Sequence, residues 1–123
     1  MSKTKTDNAQ FNIVYFDKPV DLGSISGSTT ITALSNKITK FVMTDVTVLN
    51  LPPMTSEETA SIMLMVKQDA IGGRALTIYG DGSTETVNLS EFDFSAGAAN
   101  QICYVTLLWD SERWAFTTSR WFD

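Results

Sequence analysis

SIMLMVKQDAIGGRALTIY, residues 61–79, is the stretch whose reading decides the fold. Ser61–Lys67 is a nearly unbroken apolar run, and Gln68–Gly73 is a polar segment that ends in two glycines. Arg74–Tyr79 alternates strictly, with Leu76 and Ile78 on one face and Ala75, Thr77 and Tyr79 on the other. Apolar runs joined by a glycine-bearing loop predict a β-hairpin. A lone hairpin cannot bury its apolar faces in water, so other strands must cover this one.

The flanking sequence supplies them. Phe11–Phe16 (FNIVYF) is a short β-type run with Phe11, Ile13 and Tyr15 on one face, and Asp17-Lys18-Pro19 ends it. Val20–Ser28, with Gly23 and Gly27 among serines, reads as a loop. Thr29–Leu34 is the next strand. Ile38–Met43 follows, with Ile38 and Val42 on one face and Phe41 and Met43 on the other. Thr44-Asp45 is a turn candidate. Val46–Leu51 alternates at Val46 and Val48, then moves phase to Leu49 and Leu51, the pattern expected of a β-bulge. Pro52-Pro53 stops it. Met54–Ala60 is the one helix-like stretch, with Thr55 or Ser56 as a cap and room for at most one or two turns, and reads almost equally well as a polar loop. Gly80-Asp81-Gly82-Ser83 is a turn, Thr86–Leu89 and Phe92–Phe94 read as brief strands or an edge segment, and Ser95–Asn100 as a small-residue loop.

Ile102–Trp109 is apolar on both faces, which predicts a central strand. With Ser111 and Glu112 as a two-residue loop, it turns back into Arg113–Thr118. That register sets Asp110 opposite Arg113, Trp109 opposite Trp114 and Leu107 opposite Phe116. Each such cross-strand pair is worth roughly 0.2–1 kcal/mol. Short strands separated by turn signals predict an all-β fold, an antiparallel, jelly-roll-like β-sandwich. The expected organisation is a flexible N-terminal arm over residues 1–10 and a single β-sandwich domain over residues 11–123.

Composition bounds the function. The 123 residues carry a net charge of −5, 43% hydrophobic residues and 19% charged residues. Four of the nine basic residues, Lys3, Lys5, Lys18 and Lys37, precede position 40 without forming a basic stripe. Nucleic-acid binding, which needs basic patches to displace counterions, is not expected. The chain has no histidine, so it lacks the commonest general base and transition-metal ligand. Its one cysteine, Cys103, permits no intrachain disulfide and reads as a small buried core residue. Met1–Gln10 is polar throughout, unlike a secretory signal peptide. No apolar stretch approaches the roughly 18 residues of a membrane span. The expectation is a soluble protein made in the cytoplasm of the cell that translates it, with no membrane partner.

No constellation reads as catalytic. Gly72-Gly73-Arg74 lacks the Gly-x-x-x-x-Gly-Lys-Ser/Thr context of a phosphate loop and reads as turn geometry, with Arg74 pairing an acid such as Asp69. Asp69, Asp81 and Glu85 depart from the calcium-loop spacing, so neither metal nor cofactor is expected. Trp109, Trp114 and Trp121 cluster with Phe116 and Phe122 near the C-terminus. They are either an exposed platform for sugars or partners, or packing groups. For Trp109 and Trp114, packing of the hairpin is the preferred reading. Trp121-Phe122, beyond the last strand, reads equally well as a subunit contact, and Phe11, Ile13 and Tyr15 join them as candidate interface residues.

At Gln68–Thr77, QDAIGGRALT, the chain resembles a recurrent β-domain of tailed-bacteriophage virion proteins. In that family an apolar strand runs into Gln-Asp/Thr, a glycine-bearing loop and Arg-x-Leu/Val-Thr, and later strands end in an aromatic hairpin like Leu107–Phe116. Ser28–Leu34, Lys40–Met43 and Val46–Pro53 are similar to the family's leader. The likeness spans roughly residues 20–121, and departs where Ile78 stands in place of a common tryptophan. The resemblance implies a non-enzymatic β-sandwich, usually a homotrimer, on the surface of a virion assembled in host cytoplasm. A short copy looks most like a capsid decoration (cement) protein bound to the major capsid protein. A tail-fibre or spike tip that binds a bacterial surface glycan is the alternative. A stand-alone carbohydrate-binding or hydrolytic jelly-roll is the third reading.

Overall fold

The computed structural model describes residues 18–31, 38–80 and 92–123. Their strands are β1 (Val20–Thr30), β2 (Ile38–Asn50), β3 (Ala60–Gln68), β4 (Leu76–Tyr79), β5 (Ile102–Trp109) and β6 (Trp114–Thr118). A 3-10 turn, Phe94–Ala96, precedes β5. The fold is all-β. The predicted arm, residues 1–10, and the predicted strand with Phe11, Ile13 and Tyr15 lie outside the described residues, as do Asp81, Glu85 and Thr86–Leu89.

The six strands form one mixed sheet in the order β1-β2-β3-β5-β6, with β4 also paired to β2. The expected antiparallel arrangement holds only for β3–β5 and β5–β6. β1 runs parallel to β2, and β2 runs parallel to both β3 and β4. Ser61–Tyr79 is therefore not a hairpin. β3 and β4 do not pair with each other. β3 lies along the first half of β2, with Ile38 opposite Met63 and Met43 opposite Gln68. β4 lies along the second half, with Thr47 opposite Leu76 and Asn50 opposite Tyr79. The physical reason is the loop between them: it carries the chain on along β2 instead of reversing it.

Successive passes of the chain thus stack in parallel register. Val20 lies on Thr39 and Thr39 on Leu64, while Thr29 lies on Leu49 and Leu49 on Ile78. The ladder continues past the strand ends, where Ile31 N–H donates to Asn50 C=O and Leu51 N–H to Tyr79 C=O, each at 2.9 Å. The described core sits on one side of the sheet. β2 contributes Thr39, Phe41, Met43, Thr47 and Leu49, with Leu51 just beyond it, β3 contributes Ile62, Leu64 and Val66, β4 contributes Leu76 and Ile78, and β5 contributes Cys103, Val105 and Leu107. Those period-2 sets are what place apolar side chains on one pleat face.

Local expectations change as well. Val20–Ser28 is strand, not loop. Gly23 and Gly27 take φ of +70° and +68° next to the two register shifts against β2, so the glycines act as irregularities inside a ladder. Thr44-Asp45 does not separate two strands: β2 is continuous, and its register against β1 slips across Thr44–Val46, all exposed. The irregularity therefore lies before Val46–Leu51, whose inward face is Thr47, Leu49 and Leu51 without a change of phase. Thr47 fills an apolar position because its hydroxyl donates to Asp45 C=O at 3.0 Å. Phe94 opens the 3-10 turn, not a strand, because Asp93 accepts from Ser95 N–H and caps it. Met54–Ala60 makes only a turn, closed by Glu58 N–H donating to Thr55 C=O at 3.2 Å.

The C-terminal hairpin matches its expected register. Trp109 faces Trp114 and Leu107 faces Phe116. Asp110 N–H donates to Arg113 C=O at 3.2 Å. Ser111 takes φ of +77°, and the Asp110 carboxylate accepts from the N–H groups of Glu112 and Arg113, which closes the two-residue loop.

Candidate functional site

The most constrained group of polar side chains lies between β3 and β4. Alternation along β3 carries Ile62, Leu64 and Val66 inward, and the next inward position is Gln68, fully buried at 0% exposure. Its amide nitrogen donates to Arg74 C=O and Phe94 C=O, both at 3.0 Å, and its amide oxygen accepts from Arg74 N–H at 2.9 Å. One side chain thus ties both ends of the loop to the 3-10 turn. Neighbouring Asp69 accepts from Ile71 N–H at 3.1 Å and Gly72 N–H at 3.0 Å. It also receives the Arg74 guanidinium, with Nη2 2.9 Å from Oδ2. The expected Asp69–Arg74 pair is therefore present. Gly72 and Gly73, at φ of +80° and +74°, supply the expected turn geometry.

The loop is fastened to residues 97–101 as well. Gly73 N–H donates to Gly97 C=O, Asn100 N–H to Asp69 C=O and Gln68 N–H to Gln101 C=O, each at 2.9 Å. The result is a rigid platform with Ile71, 74% exposed, at its tip. Nothing in it resembles a ligand cradle: the Asp69 carboxylate already serves two backbone N–H groups and Arg74.

The environment of Asp69 makes a pH prediction. The hydrogen bond from Arg74, then that from Gly72 N–H, outweigh the effect of burial and hold its carboxyl pKa at about 2, below the ordinary 3.8. The folded value lies below the unfolded one, so the ionised form favours folding. That contribution is complete above about pH 4 and is lost as pH falls through 2. Thermal unfolding followed from pH 5 to pH 2 should show a steeper loss of Tm in the native protein than in Asp69→Asn, whose side chain does not titrate. Parallel curves would refute the assignment.

The C-terminal aromatics divide by face. Trp109 and Trp114 pack against each other with ring centroids 5.8 Å apart, and Trp109 Nε1 donates to Thr55 C=O at 2.9 Å. They serve the hairpin, as expected. Trp121 lies half-buried against the core, 6.4 Å from Phe92 and directly on Gly97, where a Cβ would come within 2.7 Å of its ring. Phe122 goes to the other side of the sheet. It bridges to Ile102 and packs 5.7 Å from Tyr104. The structure therefore separates the two members of the Trp121-Phe122 pair. Cys103 is buried, and burial pushes its thiol pKa up, away from reactive thiolate.

Sequence reading missed Gln68. Its signal was the period-2 continuation of Ile62, Leu64 and Val66, which sends the next alternate residue into the core whatever its polarity. Among the described residues, no three His, Cys, Asp or Glu side chains converge to hold a metal ion. No protein-family model matches this chain, and neither a curated protein nor a solved structure shows significant similarity to it.

Proposed function

We propose that this chain is a non-enzymatic structural protein of a tailed-bacteriophage virion, a capsid decoration protein that binds the outer capsid as a homotrimer and stabilises it. The observation that carries this reading is the QDAIGGRALT loop. In the resemblance it is the most distinctive segment, and here it is a hydrogen-bonded unit of Gln68, Asp69, Gly72, Gly73 and Arg74. Its side chains are used up in holding its own shape, which suits a scaffold that presents a surface. We read β1–β2–β3–β5–β6 and the β1–β2–β4 portion as the two layers of the implied sandwich, closed over one core, with parallel pairs at its centre.

The acidic charge fits this role, since it keeps free subunits soluble before assembly. A second reading, a fibre or spike tip on a bacterial glycan, is favoured by one feature. The outward row Thr30, Asn50 and Tyr79 crosses β1, β2 and β4, with Asn50 Nδ2 donating to Ser28 Oγ at 2.8 Å. Hydroxyl, amide and aromatic groups of that kind suit sugars.

The deciding experiment mixes purified protein with empty, expanded capsids of the virus that encodes it. The expected result is saturable binding at many sites per particle, with a gain in particle heat resistance. Binding to whole cells or glycans without binding to capsids would select the tip. Hydrolysis of a polysaccharide, lost when one acid is changed to its amide, would overturn both.

A further inference from the structure

A single exposed apolar residue on a protein surface is ordinary. Ile71 departs from that background in how it is held. At 74% it is the most exposed of the large apolar side chains among the described residues. Its own N–H donates to the Asp69 carboxylate at 3.1 Å, so the backbone that carries it is tied at the residue itself. Gly72 N–H is tied to the same carboxylate, and Gly73 N–H to Gly97 C=O. A binding group whose position is already fixed loses little freedom on docking, and this is how preorganisation raises affinity.

The ground around Ile71 is uncharged. Residues 70–73 (AIGG) and 94–100 (FSAGAAN) hold no ionisable side chain, in a chain that is 19% charged. The two segments touch: a Cβ on Gly72 would stand 2.6 Å from Ala99 N. Ala98 and Ala99 are exposed beside it. At the foot of the loop, Asp69 and Arg74 neutralise each other at 2.9 Å. One branched aliphatic side chain thus stands on an apron of methyl groups and backbone. Nucleic acid needs cations, which this surface lacks. A lipid surface needs a broad apolar face, and one side chain does not make one. What fits is a protein surface with an apolar hole the size of one aliphatic side chain, rimmed by backbone that the small residues allow to come close.

We propose that Ile71 is the anchor by which this chain docks on the shell it decorates, entering an apolar hole in the outer surface of the capsid protein. The inference rests on the proposed function and names its contact. Titration of empty, expanded capsids with the full chain tests it. Ile71→Ser should bind more weakly by more than about ten-fold, the loss for truncating one buried anchor. Ile71→Val, smaller by one methyl group, should stay within about four-fold of the native protein. Leu108→Ser removes another exposed apolar group, opposite Ser61 at the far end of β3, and should bind as the native protein does. The Tm of Ile71→Ser should move by less than about 3 °C, since the side chain lies mostly in water. Ile71→Ser that binds capsids as tightly as the native protein would overturn the anchor and leave the decoration role standing. A native protein that ignores capsids would overturn both. Equal losses in Ile71→Ser and Leu108→Ser would overturn the anchor as well, because any exposed apolar group would then serve.

Discussion

Gln68→Leu is expected to lower the unfolding free energy by about 3–5 kcal/mol, although leucine is similar in volume and better suited to an apolar site. The loss comes from groups left behind. Without the amide, Arg74 N–H, Arg74 C=O and Phe94 C=O lose their partner in a position with 0% exposure. Each orphaned buried group costs roughly 1–3 kcal/mol, and the gain from an added apolar side chain offsets only part. In urea, with a slope of about 1–1.5 kcal/mol/M for a domain of this size, the midpoint should fall by roughly 2–5 M with the slope unchanged. Gln68→Glu supplies a control of the same shape. Its carboxylate still accepts from Arg74 N–H but faces two carbonyl oxygens, so it too should be destabilised near neutral pH and partly recover in acid, where the protonated carboxyl donates once. A leucine variant with an unchanged midpoint would show that the loop ends are not held by this side chain.

The same residue shows where the sequence was legible. Alternation assigns faces, so the inward sets of β2, β3 and β5, the burial of Cys103 and even the inward position of Gln68 follow from a period of two. The β5–β6 register was readable because the turn fixes it locally: Asp110 and Arg113 are three residues apart, and the Asp110 carboxylate meets the intervening backbone. Partner identity is a different kind of information. Leu76–Tyr79 has the same alternation whether it pairs with β3 or with the second half of β2, and only the packing of distant segments decides. β1 was illegible for a related reason. Its glycines and serines have poor strand propensity, and the ladder to β2 overrides that preference. The outward apolar face of β3 and β5 was visible as runs apolar on both sides. The sequence predicts a central strand at Ile102–Trp109, and β5 does lie between β3 and β6, with Tyr104 and Leu108 exposed on its outer face.

Gly72→Ala and Gly73→Ala should differ sharply, although both glycines have positive φ and are neighbours. An L-residue in this region costs roughly 1–2 kcal/mol from its own Cβ, and both variants bear that cost. At Gly73, with φ +74°, the nearest further contact of an added Cβ is Ser95 O at 3.9 Å, an ordinary separation. Gly73→Ala should therefore lose about 1–2 kcal/mol and no more. At Gly72 the added carbon would stand 2.6 Å from Ala99 N and 2.8 Å from Ala98 C, both backbone atoms. That backbone has little freedom to withdraw. Gln101 N–H donates to Ala98 C=O at 3.1 Å, and Asn100 N–H donates to Asp69 C=O at 2.9 Å, the latter across the same gap the methyl would widen. Relief means moving residues 98–100 away from the loop and breaking the Asn100–Asp69 bond. The expected loss for Gly72→Ala is about 3–5 kcal/mol, overpacking added to conformational strain. Equal losses in the two variants would mean that the 98–100 segment yields freely, and that the platform under Ile71 is not rigid. A distinctly larger loss in Gly72→Ala would show instead that residues 69–74 and 97–101 hold each other in place, so that Ile71 is presented from a fixed surface.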